Sequence, residues 1–407
     1  MQRRFHFGWL LGVSLGCGSM PSPAPAQQPA ELDIRIGRQF IDGMNSFASK
    51  DYPAAEAAFR RILDRNPTLL RVRLELARTL FMEKKDEQAD YHFRLAAGER
   101  PPAMVARNIT RFRDAIRARR SWRFNFDFGF APDTNINSAT DKQTIDIYGL
   151  PFRLDPNAHA RSGTGAFVGG DASVRLNRFG KVPVYLAAYG RWLRYRHSQF
   201  NDAYTGAEVG PEFQVGGGRL RTTARGVLRW YGGRRLVTSI GAGLDYEKLV
   251  GDKLIVGGTL LVRHNNYARR RDVDGWDSEA RISANRPLGP TTVGFAYGGI
   301  ERNWAIDRGQ AFWRGRLGLG ILKEVGWGLR PQLSVDVARQ FGDGPLAPFG
   351  KRRRDWLLQG SFSIYKRDWN MKGFAPSLTL TATRNFSTLP LYREKRVRGE
   401  IRLTKAF

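Results

Sequence analysis

The sequence predicts an α + β multidomain protein. An N-terminal tetratricopeptide α-helical domain is followed by a transmembrane antiparallel β-barrel of about 14 strands. Three observations carry that expectation. Small, aromatic and proline residues recur with a 34-residue period between residues 31 and 120. At Ser121 the hydrophobic period changes from 3.6 to 2 and stays there. The last segment is amphipathic and finishes on Phe407.

The first segment, residues 1–26, reads as a signal peptide. Arg3 and Arg4 precede an apolar stretch from Phe7 to Leu15, and Ala24-Pro25-Ala26 supplies a small-x-small cleavage pattern. Ser14-Leu15-Gly16-Cys17 lacks the leucine that a lipidation site carries three residues before its cysteine. Cleavage after Ala26 leaves a chain with no cysteine, hence no disulfide, thiol nucleophile or cysteine metal site. Export without cysteine fits a periplasmic or outer-membrane protein of a Gram-negative bacterium.

Residues 27–120 are expected to form a periplasmic tetratricopeptide-like helical domain. Gly43, Ala55, Phe59 and Pro67 recur 34 residues on as Ala77, Ala89, Phe93 and Pro101. Small residues let paired helices approach, the aromatic fills the gap between them, and proline stops the second helix. Two repeats make a short stack, so Pro102–Arg119 is expected to supply a capping helix.

Residues 121–407 are expected to be the outer-membrane barrel. Trp122, Phe124, Phe126, Phe128 and Phe130 alternate with Arg123, Asn125, Asp127 and Gly129, a strand with one apolar and one polar face. The alternation recurs over 166–176, 219–230, 313–321 and 396–407. Short turn signals (Arg178–Lys181, Val215–Gly218, Gly251–Lys253, Pro287–Pro290, Gly326–Gly328, Lys366–Gly373) alternate with longer or more polar connections near 131–162, 197–201, 231–235, 268–276, 304–309, 341–352 and 386–392. Nine tryptophans from Trp122 to Trp369 fall mostly at strand ends, as interfacial girdles require. Val397, Ile401, Leu403 and Phe407 share one face of the final strand, which barrel-assembly machinery would read as an insertion signal; Lys405 departs from that face.

The 407 residues carry 66 Lys+Arg against 38 Asp+Glu, net +28. That balance ordinarily suggests nucleic acid, but an exported barrel meets none. Residues 1–120 hold 21 Lys+Arg and 13 Asp+Glu, net +8; the remainder hold 45 and 25, net +20. Arg219, Arg221, Arg225, Arg229, Arg314, Arg316, Arg396, Arg398 and Arg402 oppose apolar residues and are expected to face the lumen, pairing across strands with carboxylates such as Asp171, Asp336 or Glu400. The net result is an expected cationic lumen that draws anions or acidic polypeptide. Arg269–Arg271 and Lys351–Arg354 are expected in outward loops beside lipopolysaccharide phosphates.

No catalytic or cofactor pattern emerges. The five histidines form no metal-spaced pair, and there is no G-x-S-x-G, P-loop or dinucleotide fingerprint. Asp133, Asn135 and Asn137 imitate the start of a calcium loop, but Ser138 stands where the turn needs glycine and Thr144 where it needs glutamate. No enzyme, cofactor or metal is expected. The segment Pro132-Asp133-Thr134-Asn135-Ile136-Asn137 reads instead as a compact loop held by Asx and Ser/Thr side chains.

This layout resembles the surface lipoprotein assembly modifier family, from about residue 31 to Phe407. The motifs that carry the resemblance are Pro132, Asp133, Asn135, Ile136 and Asn137 in the loop, Arg229-Trp230-Tyr231-Gly232-Gly233, and Asn385-Phe386-Ser387. The resemblance implies an outer-membrane translocon of type XI secretion, moving surface lipoproteins or related soluble proteins from periplasm to cell surface. It implies a cargo protein as partner and carries over no cargo-binding residue; the groove of the periplasmic repeats is expected to receive that cargo or a periplasmic chaperone. The rivals are a polysaccharide exporter and an anion-selective porin.

Overall fold

The structure, a computed structural model, describes residues 29–99, 101–119, 122–147, 149–176, 182–251, 253–347, 349–366, 369 and 374–406. The expected signal peptide, the Arg178–Lys181 turn and Phe407 lie outside these residues.

Five helices come first: α1 (Pro29–Ala48), α2 (Tyr52–Arg65), α3 (Leu70–Met82), α4 (Asp86–Gly98) and α5 (Ala103–Arg119). They pack as two successive pairs plus a fifth helix. Asp51 caps α2 by accepting from the Ala54 amide, and Asp86 and Glu87 place negative charge in the first turn of α4. Gly43 of α1 touches the Phe59 ring so closely that an added Cβ would fall 2.7 Å from it. Phe93 of α4 stacks on Phe112 of α5 with ring centroids 5.1 Å apart. Lys50 and Lys84, at the ends of α1 and α3, both adopt left-handed backbone (φ 64° and 62°), and they too stand 34 residues apart. One apolar core, with Phe59, Ile62, Leu76, Leu80 and Phe93 at its centre, runs through all of these helices.

Sixteen strands follow. β1 (Trp122–Asp133) opens the barrel, and β2 (Thr144–Ile147) and β3 (Leu150–Arg153) form a separate hairpin. β4 (Gly163–Leu176), β5 (Val184–Arg194), β6 (Asp202–Val215), β7 (Gly218–Tyr231), β8 (Arg234–Val250) and β9 (Leu254–Tyr267) continue the barrel. β10 (Gly275–Pro287), β11 (Thr292–Ala305), β12 (Phe312–Lys323), β13 (Leu329–Leu346), β14 (Lys351–Lys366), β15 (Ala375–Ser387) and β16 (Glu394–Ala406) complete it. All strands but β2 and β3 make one closed antiparallel barrel of fourteen, with β1 sealed between β4 and β16. Closure leaves no unpaired edge in lipid.

The period of 2 decides which face is which. Leu244, Leu260, Ile282, Ile300, Leu317, Leu333 and Ile401 stand exposed on the outer wall. Trp192, Trp230, Trp276, Trp304, Trp313 and Trp356 ring the long-loop end, and Trp122, Trp327 and Trp369 mark the other end. These rings flank the apolar belt as interfacial anchors do.

Two expected connections are different in the structure. The link at 231–235 is a two-residue turn through Gly232 and Gly233, both at positive φ (58° and 77°), so β7 and β8 form a tight hairpin. Lys351–Arg354 is not a loop: these residues begin β14 and pair with β13 as far as Leu346. The hairpin carries Arg354 at the girdle and Lys351–Arg353 beyond it, where charged side chains cost a strand little.

Candidate functional site

The lumen wall is built from the polar face of the strands. On β7 each named arginine meets a carboxylate: Arg219 lies 3.4 Å from Glu247, Arg221 3.1 Å from Glu212, Arg225 3.1 Å from Glu208, and Arg229 2.6 Å from Asp202. Arg225 also pairs with Asp245. On β12, Arg314 lies 2.9 Å from Glu301. On β16, Arg396 lies 2.5 Å from Asp133, Arg398 2.7 Å from Glu400, and Arg402 2.6 Å from Glu400. Arg191 of β5 reaches Glu400 as well, at 3.0 Å. Arg316 has no carboxylate partner among the described residues. Eight of the nine named arginines thus have a carboxylate neighbour, but Arg191, Arg398 and Arg402 share Glu400, so the wall carries dense alternating charge without cancelling its cationic excess. Two expected acceptors play other parts. Asp171 accepts from Asn125 at 3.0 Å, and Asp336 Oδ1 has no hydrogen-bond partner among the described residues.

The Pro132–Asn137 segment sits where the barrel closes. The Asn135 amide donates to Asp133 Oδ1 (2.9 Å), Asn135 Nδ2 to the Ala139 carbonyl (2.8 Å), and Asn137 Nδ2 to the His159 carbonyl (2.8 Å). Ile136 packs with Ala131, Phe167, Leu193, Tyr195 and Phe200. The same segment crosses the seam: Thr134 N donates to the Val397 carbonyl (3.0 Å), Val397 N to Thr134 Oγ1 (2.8 Å), and Arg396 grips both oxygens of Asp133. Ile401 and Leu403, expected on the outer face of the terminal strand, lie opposite Phe130 and Phe128 of β1. The β2–β3 hairpin then lies across the rim, where Ile145 packs on Leu346, Phe349 and Leu389.

The helical region spans the opposite mouth. It is joined covalently to β1 through α5, a helix of 17 residues and about 25 Å. Its other contacts fall on the β8–β9, β10–β11 and β12–β13 turns, and β10 stands diametrically opposite β1 in the barrel order. There Lys253 Nζ donates to the Gly98 carbonyl, Pro287 abuts Gly98, and the Arg330 guanidinium stacks 3.9 Å from the Tyr91 ring. The anchor is Arg73 of α3, 1% exposed. It reaches Glu324 in the β12–β13 turn at 3.3 Å, Glu99 at 3.7 Å and His92 Nδ1 at 3.4 Å, and donates to the Pro67 carbonyl. Between this cap and the wall lies a polar cavity of about 860 Å³, bordered by Asp86, Asp90 and Arg94 below and by Arg175, Arg219 and Arg221 above. Arg73 and Glu324 carry no motif, so sequence reasoning had no signal for them.

One carboxylate pair in the cap is titratable near neutrality. Burial and a hydrogen bond to Glu56 push Glu83 from 4.5 up to about 7, against the pull of Lys85. Burial acts on Glu56 too, but Arg60, Glu83 and Lys85 overcome it and hold Glu56 down at about 2. The folded cap thus keeps a proton on Glu83 that an unfolded chain releases between about 4.5 and 7. Stability from Glu83 is complete below that window and lost as pH rises through it; that from Glu56 is lost only as pH falls toward 2. The cap should melt at lower temperature at about pH 8 than at about pH 5, and Glu83→Gln should flatten the difference. Circular dichroism at the helical band against pH reads this directly; an unchanged slope in Glu83→Gln would refute it.

A closed barrel with an apolar belt, two aromatic rings and a helical cap over its short-turn mouth is an outer-membrane β-barrel protein. The chain belongs to the surface lipoprotein assembly modifier family, whose model matches residues 122–407. It is 25% identical over 403 residues to Surface lipoprotein assembly modifier 1 of Neisseria meningitidis serogroup B, covering 93% of this chain and 77% of that protein. It is 25% identical over 371 residues to the Surface lipoprotein assembly modifier of Moraxella catarrhalis, covering 84% and 68%. It is 22% identical over 380 residues to the Hemophilin secretion modulator of Acinetobacter baumannii, covering 86% and 74%.

Proposed function

We propose that this protein is an outer-membrane translocon that moves surface lipoproteins, or related secreted proteins, from the periplasm to the cell surface. The observation that carries this reading is the family match over the whole barrel together with a helical cap laid across its periplasmic mouth. The relatives' names, a lipoprotein assembly modifier and a secretion modulator, support it. The helices act as a tetratricopeptide-type platform that receives cargo or its chaperone, and the cap must tilt away before cargo enters. Fourteen strands enclose enough space for an aqueous channel, but not for a folded domain of ordinary size, so cargo passes extended, through the lumen or along the β1–β16 seam. The chemistry is non-enzymatic, and cargo folding outside, or a partner, supplies the drive.

Deletion of the chain, followed by surface labelling of intact cells, tests the function. One or a few lipoproteins or secreted proteins should disappear from the surface and accumulate inside, and should return on complementation. An unchanged surface protein set would overturn the proposal.

A further inference from the structure

The outer wall of β13–β16 carries cations that the lumen pairing does not explain. Arg339 points outward over Phe341 (4.9 Å) and Trp356 (4.8 Å), and Arg384 over Phe386 (5.0 Å). Arg354 stands opposite Phe341 across β13 and β14, on the same face. Arg384 stands directly opposite Lys395 across β15 and β16. None of these four has a carboxylate at ion-pair distance among the described residues. The neighbouring outward Arg302 does, lying 2.5 Å from Asp343.

Like charges directly opposed on one sheet face repel, and outward cations in a membrane barrel are costly away from headgroups. These sit at the long-loop girdle, at the depth where the outer leaflet presents its headgroups. A rim pocket of about 310 Å³ joins Arg384, Arg393, Lys395 and Lys142, with Asp141 and Glu394 on its border. From Arg339 and Trp356 a shallow apolar groove, floored by Gly258, Ala280, Gly298 and Gly315, runs down the outer wall to Leu220.

We propose that Arg339, Arg354, Arg384 and Lys395 form a binding site for the phosphorylated headgroup of an outer-leaflet glycolipid. Guanidinium and ammonium groups take the phosphates, the aromatic rings hold the guanidinium planes, and the groove receives an acyl chain. The site takes in Arg354, from the Lys351–Arg354 stretch where the sequence places lipid contact, and leaves out the loop at Arg269–Arg271, where the sequence places it too. Free phosphate would leave the groove empty, so the lipid is the ligand.

The test uses the full chain in phosphatidylcholine nanodiscs, titrated with bisphosphorylated lipid A and followed by native mass spectrometry. The chain should bind the lipid at a defined stoichiometry, and its dephosphorylated form about tenfold or more weakly. Inorganic phosphate at the same concentration should not compete. The R339Q/R354Q/R384Q chain should lose that preference, and the R269Q/R270Q/R271Q chain should keep it. Folding is verified by heat-modifiable mobility; if the triple variant fails to fold, R384Q alone should still lower affinity measurably. Equal binding of the dephosphorylated lipid, full competition by phosphate, or equal loss in the loop variant would overturn the proposal.

Discussion

An Arg73→Ala chain should keep its barrel and lose its cap. Among the described residues Arg73 is the largest fully buried side chain, and it serves two carboxylates that belong to different parts of the fold, Glu99 beside α4 and Glu324 in the β12–β13 turn. Removing the guanidinium takes from Glu99 and Glu324 the cation they share in a largely buried contact, a change that costs about 3–5 kcal/mol in buried pairs. The remaining anchors, Lys253 on the Gly98 carbonyl and Arg330 on Tyr91, are single contacts. A Gly98→Cys/Pro287→Cys pair reports on docking, because Gly98 already touches the Pro287 ring. Its disulfide should form readily in the parent chain and fall severalfold in the Arg73→Ala background. Burial already raises Glu99, against the pull of Arg73. Without Arg73, protonation becomes the remaining way to neutralise it, so crosslinking should recover as pH falls. A crosslink yield independent of Arg73 and of pH would show that the cap is held by its linker alone.

The same cap shows where reading a sequence stops. The repeat was legible because helix–helix contact needs small residues at fixed intervals, and Gly43 against Phe59 is such a contact. The barrel was legible for a similar reason: a wall with lipid on one side and water on the other imposes a period of 2, and Trp122 to Phe130 display it. Pair identity was not legible. Arg73 and Glu324 are 251 residues apart and meet only because the cap crosses the mouth. Asp171 and Asp336 looked as available to arginine as Glu400, and only the strand register decides among them. Lys351–Arg354 looked like a loop because charge usually marks one, whereas a hairpin that leaves the membrane keeps its strand form. The β2–β3 hairpin, four residues to a strand, was too short to stand out from the polar stretch around it.

Asp133→Ala should loosen the barrel at its one non-sequential joint. Each other neighbouring pair of barrel strands is consecutive along the barrel chain; β1 and β16 are not, and side chains must finish their closure. The ladder between them has a gap at Ala131 and Pro132, where proline has no N–H to donate. Just beyond the gap the Asp133 carboxylate, fully shielded, holds Arg396 with both oxygens and caps the Asn135 amide. Loss of that carboxylate strands Arg396 with Glu394 at 3.9 Å and the Ser138 hydroxyl. The expected cost is about 3–5 kcal/mol, read as a lower temperature for conversion from the compact to the extended band in gel mobility. A stability loss no larger than that of an Arg229→Gln control, whose pair with Asp202 is more exposed, would refute the staple. The same joint separates the two export routes. A Phe128→Cys/Leu403→Cys disulfide fixes β1 to β16 at a paired position without entering the lumen. If cargo leaves through an opened seam, oxidation should abolish surface delivery and reduction should restore it. If cargo stays within the lumen, delivery should be the same in both states.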